Sequence, residues 1–206
     1  MKIKWFYWSV CYALIAFLDF SAGVFFVFSN NLVDKIIFPL DYQYQPGIIS
    51  YMIGGIIAIA PDFDILYMYI KEGRIYANHH QFLTHRPTII LPLAWVFGLL
   101  IGGHFWAITA LCCLAWHYQH DNEIDWFWPV SQKYYSPEKS LTEEQKFEKW
   151  LAENWLVPNP RAVVEIFTGC LFLMIVAVGI GHWRVGAAFV IAIWLGAILL
   201  WSQPEK

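Results

Sequence analysis

The chain has 206 residues, 59% of them hydrophobic and 14% charged, with a net charge of −3 and a mean hydropathy of +0.48. Soluble domains are about 45–50% apolar and about 25% charged, so a water-soluble globule of this size is excluded by the apolar surface it would have to hide. With no long run of Lys or Arg, nucleic acid is excluded as a partner.

The apolar residues come in blocks, and a helix needs roughly 20 of them to cross the hydrocarbon core. An all-α, multi-pass transmembrane helical bundle follows, read as one integral membrane domain over residues 1–206 with membrane lipids as its surroundings. The 12 Trp and 11 Tyr suit the headgroup layers, where amphipathic rings collect. Cys11, Cys112, Cys113 and Cys170 all lie inside apolar blocks without metal-type or disulfide-type spacing, and read as small packing residues.

The first block, 5–28, follows Lys2 and Lys4 and lacks a small-residue cleavage site, which predicts a retained signal anchor. Asp19 lies near its middle. An intramembrane carboxylate is either a functional group or a protonated, hydrogen-bonded packing residue. Residues 29–46 are polar and rich in turn formers. The second block, 48–60, is short for a span and is expected to continue to residue 70, carrying Asp62 and Asp64 into or beside the membrane.

Residues 88–116 are too long for one span, and Gly102-Gly103 divides them into a tight helical hairpin. The hydrophilic region is 119–160. Within it, Ser140 and Glu143 match a capping box. Beyond them Phe147, Trp150, Leu151 and Trp155 recur at helical spacing, predicting an amphipathic interfacial helix over about 140–156. A C-terminal hairpin over about 162–201 follows, its spans 163–180 and 185–201 joined around His182-Trp183-Arg184. Six spans with both termini cytoplasmic would put every Lys and Arg except Lys35 and Arg184 on the inner side.

Under this topology three polar clusters share one face: Pro61-Asp62-Phe63-Asp64, then His79-His80 with Thr84-His85-Arg86, then His117-Tyr118-Gln119-His120-Asp121. Carboxylates and neutral imidazoles are donors for a divalent ion, whether zinc or the harder manganese and magnesium. His117 and Asp121 are four apart and share a helical face. His80 and His85 are five apart, which a helix would splay by about 140°, so a turn must bring them together. His79 and His120 are alternates in register. Trp126 and Trp128 read as an interface anchor, and Arg86 as a topology-setting charge or an anion contact.

The order Pro-Asp-x-Asp, His-x-x-x-Thr-His, His-x-x-x-Asp, Phe-Trp-Pro resembles the membrane-bound metal-dependent hydrolases, a family also described as LexA-regulated and inner-membrane-associated. The matching residues are Asp62 and Asp64, His80 with Thr84 and His85, His117 with Asp121, and Phe127-Trp128-Pro129-Val130-Ser131 leading to Tyr134-Tyr135, a motif-bearing core over about 48–136. Members usually have His-Arg-Gly before the Thr-His pair and Ser after it, where this chain has Gln81, Phe82 and Arg86.

The resemblance implies an inner-membrane enzyme in which Asp62, Asp64, His80, His85, His117 and Asp121 hold one or two divalent ions. Asp64, His85 and His117 are the expected catalytic residues. A lipid or lipid-linked phosphoester is the expected substrate, because the site should lie at headgroup level on the cytoplasmic side. The alternatives are an ion or metal transporter, which needs polar residues spread through several spans, and a scaffold with a structural metal. No His-Glu-x-x-His, Gly-x-Ser-x-Gly or P-loop pattern occurs.

Overall fold

The computed structural model describes residues 2–37, 45–72, 83–121, 149 and 159–202, with side chains from residue 13 onward except at 66, 68, 69, 72 and 120. Every described element is helical. Helix α1 is Lys2–Ile37, α2 is Ile48–Ile59, and a 3-10 turn, Ala60–Asp62, leads into α3, Phe63–Glu72. A second 3-10 turn, Leu83–His85, precedes the helical stretch Pro87–His120. Pro160–Gly179 (α6) and Trp183–Trp201 (α7) complete the described chain. The interfacial helix expected over 140–156 lies outside the described residues apart from Lys149.

Among the described residues five stretches are apolar and long enough to cross a membrane, and the one over Pro87–Gln119 is folded double. Gly102 and Gly103 leave the helical conformation, Gly103 with φ of +69°. A Cβ added to Gly98 would lie 2.6 Å from the Ala107 backbone nitrogen. In a straight helix those two positions would be about 13 Å apart. The stretch is therefore a hairpin of two legs, α4 (87–101) and α5 (104–120). Six apolar helical legs result, as the block pattern predicts.

Helix α1 is longer than its apolar block because the polar residues that follow are absorbed by packing. Asn30 donates to Thr109 Oγ1 at 2.9 Å, and Asn31 is buried. Side-chain amides satisfied across a helix interface allow the helix to continue.

The bundle is organised around α1. Gly23 and Gly54 bring α1 and α2 into backbone contact, and a Cβ at Gly54 would sit 2.7 Å from the Gly23 carbonyl oxygen. Gly169 in the middle of α6 packs on Phe17 and Leu18. Leu14, near the start of the described α1 side chains, shares a core with Ala162 of α6 and Leu200 of α7. The stretch of α1 around Leu14, the beginning of α6 and the end of α7 therefore lie together. His104 and His182, both exposed, lie at the hairpin turns between α4 and α5 and between α6 and α7.

Candidate metal centre

Each residue of the centre is delivered by a helix end with a local reason to stop there. Pro61 opens the 3-10 turn after α2 and is buried, leaving Asp62 to emerge at the turn's last position. Pro87 forces the residue before it away from helical geometry, and Arg86 is extended at φ −110°, ψ 90°. That break separates the Leu83–His85 turn from α4 and folds His85 back against the end of α5. Tyr118 holds it there, its hydroxyl donating to the Thr84 carbonyl at 2.6 Å. Asp121 ends α5 with its N–H bonded to the His117 carbonyl, one helical turn after His117.

Four groups converge. His85 Nε2 lies 3.6 Å from Asp62 Oδ1 and 3.5 Å from Asp121 Oδ2. His117 Nε2 lies 3.6 Å from Asp62 Oδ1 and 3.0 Å from Asp121 Oδ2. All four donor atoms fall within 4.8 Å of one another. Two nitrogens and two oxygens, each held about 2.0–2.2 Å from a shared ion, stand roughly 3.3–3.5 Å apart in a tetrahedron and about 3.0 Å apart at right angles in an octahedron. The four nitrogen–oxygen separations bracket those values. The donor set therefore fits a divalent cation.

The electrostatics point the same way. Both imidazoles are fully buried, and the two ring nitrogens of His117 face carboxylates at 3.0 and 3.3 Å without a well-aligned hydrogen bond. A buried polar atom without a partner is costly, and a charge more so. Burial pushes the His85 imidazole down, but contacts with Asp121, Asp62 and Asp64 outweigh it and raise its pKa to about 10. The cluster is thus built to attract positive charge. Asp62 and Asp121 retain 24% and 19% side-chain exposure, so the centre opens on its carboxylate side.

Asp64 stands behind His85 rather than in the convergent group. Its Oδ2 accepts from Thr84 Oγ1 at 2.6 Å and faces His85 Nδ1 at 3.1 Å. His80, Phe127, Trp128 and the residues to Tyr135 lie outside the described residues, and so does the His120 side chain. Two residues belong here that sequence reasoning did not place. Tyr118 carried no signal beyond its position beside His117. Asp19 carried one, as a lone carboxylate inside an apolar block, and its Oδ2 lies 3.3 Å from His117 Nδ1.

Leu18, adjacent to Asp19, touches Gly169, nine residues inside the start of α6 and so about 13 Å along that helix. The converging groups cap α2 and α5, with Asp19 reaching them from within α1.

An all-helical membrane protein with a His/Asp cluster between its helix ends is the class that fold and geometry define. Residues 36–202 match the YdjM inner membrane protein family, and the chain belongs to that family. The match covers most of the chain and begins near the end of α1, after Asp19. No curated protein and no solved structure matches it.

Proposed function

We propose that this protein is a metal-dependent hydrolase of the inner membrane, with both termini and the open side of its centre toward the cytoplasm. The observation that carries the reading is the convergence of Asp62, His85, His117 and Asp121 from three separate stretches of chain. When bound, a divalent ion supplies Lewis acidity, polarising the bond to be cleaved and making water acidic enough to react near neutral pH. The two imidazoles fix the buried side of the site, while the partly exposed Asp62 and Asp121 face the direction of entry. Each of those carboxylates has a second oxygen outside the ligand set, which can accept a proton from an attacking water.

The substrate class we propose is a phosphoester on a lipid or lipid-linked molecule. A shallow, open apolar groove of about 220 Å³, lined by Ala16, Phe17, Phe20 and Ile59 among others, gives an acyl chain a surface on the same helices. The charged group of such a substrate would reach the centre past Asp62 and Asp121.

A structural metal is the second reading, favoured by the ligand count. Four protein ligands close a tetrahedral zinc, whereas catalytic zinc keeps one position open. Six-coordinate manganese or magnesium would leave room for water and substrate beside the same four. One experiment separates the readings: the purified protein, reconstituted with zinc, manganese or magnesium, is assayed for phosphate release from a phospholipid and isoprenyl-phosphate panel. Metal-dependent turnover lost in His117→Ala supports the hydrolase. Stoichiometric metal without turnover on any substrate supports the structural site.

A further inference from the structure

The environment of Asp19 is unlike that of any other acidic side chain in the described part of α1. It sits near the middle of a 36-residue apolar helix, 3% exposed, on the face that meets α5. Its Oδ2 is 3.3 Å from His117 Nδ1, while the opposite edge of the same ring presents Nε2 to Asp121 at 3.0 Å and Asp62 at 3.6 Å. The second imidazole is arranged the same way. Asp64 Oδ2 stands 3.1 Å from His85 Nδ1, and the His85 Nε2 edge faces Asp62 and Asp121. Each ring has one carboxylate behind it and two in front.

An imidazole can turn its metal-binding nitrogen outward only if something fixes the ring and the position of its proton. Metal-ligating histidines usually donate their other N–H to a carboxylate or carbonyl for this reason. We infer that Asp19 is a positioning residue of the metal centre, holding His117 with Nδ1 protonated and Nε2 directed at the space shared with Asp62 and Asp121. This rests on the metal reading above. It makes α1, through a residue outside the family-matched segment, part of the site. A packing role alone would require only a filled interface, and a leucine would serve that as well.

The test uses the full-length protein in detergent, as wild type, Asp19→Asn and Asp19→Leu, with histidine labelled in ¹⁵N. Co²⁺ titrations followed by visible absorbance should show wild-type binding and a loss of about 10–100-fold in affinity in both variants, the usual cost of removing such a partner. In the metal-free protein the His117 ring nitrogens should shift in Asp19→Asn, because the charged partner of Nδ1 is gone. Unchanged Co²⁺ affinity and spectrum together with unchanged His117 signals in Asp19→Asn would overturn the assignment. That variant is nearly isosteric, so it decides the matter if Asp19→Leu does not fold. Absence of Co²⁺ binding in the wild type would sink the metal reading itself, while the metal-free nitrogen signals would still decide whether Asp19 holds His117.

Discussion

His85 and His117 aim their Nε2 atoms at the same two carboxylates, with ring centroids 5.6 Å apart and planes inclined by 49°. The rings come from opposite sides of the α4–α5 hairpin, one ahead of α4 and one at the end of α5. Closing the hairpin is therefore what assembles the pair.

The geometry ranks the site residues by their distance from the shared space. His85→Ala, His117→Ala and Asp121→Ala each remove a converging donor, and purified protein should then retain substoichiometric zinc or manganese by elemental analysis. Asp64→Ala removes only the backing of His85, so it should weaken binding about 10–100-fold without abolishing it. Equal loss in Asp64→Ala and His117→Ala would mean that Asp64 is itself a ligand.

The metal-free protein should depend on pH through His85, whose pKa is raised to about 10 from an ordinary 6.5. A raised imidazole pKa contributes stability that is complete below the unfolded value and lost as pH climbs through the folded one. Thermal unfolding of metal-free protein should accordingly show a midpoint that declines between pH 6.5 and about 10. His85→Gln should flatten the decline. Because a cation needs the neutral ring, loading should also release protons across that interval, measurable as buffer-dependent enthalpy in calorimetry.

The hairpin turn is testable by access and by strain. Gly103 has a positive φ, and a β-branched residue there costs roughly 1–3 kcal/mol. Gly103→Val should lower the thermal midpoint. In a background without the native cysteines, single cysteines at positions 104 and 182 should react with an impermeant thiol reagent from one side of the membrane, and one at position 159 from the other. Labelling of 104 and 159 from the same side would contradict the folded hairpin.

The α1–α2 contact offers a packing test with an internal control. An added Cβ at Gly23 would collide with the Gly54 carbonyl, whereas one at Gly47 meets nothing within 4 Å. Gly23→Leu should destabilise by about 1–3 kcal/mol through overpacking. It should also weaken metal binding, since it pushes Asp19 on α1 away from Asp62 beyond α2. Gly47→Ala should leave both measurements unchanged.

Much of the fold was legible because bilayer crossing imposes long apolar blocks, and Gly102-Gly103 marked where one block had to turn. The end of α1 was not legible. Asn30 and Asn31 read as a loop by composition, but Asn30 finds Thr109, 79 positions away, and Asn31 is buried, contacts invisible in the local sequence. At the site, residue type and order along the chain pointed to Asp62, Asp64, His80, His85, His117 and Asp121, of which the described residues bring Asp62, His85, His117 and Asp121 together. What spacing could not supply was which carboxylate stands in front of a ring and which behind it. Asp62 ends the 3-10 turn and Asp64 opens α3, two residues on, so they point to different faces and meet His85 from opposite edges.

The glycine-mediated crossing of α1 and α2 has a consequence for the lipid environment. Helices re-tilt when the hydrocarbon thickness around them changes, and Asp19, His117 and Asp62 ride on three different legs. A thicker or thinner bilayer therefore reaches the centre as a change in the distances among those residues. On the metal reading proposed above, Co²⁺ affinity should differ between short-chain and long-chain phosphatidylcholine vesicles.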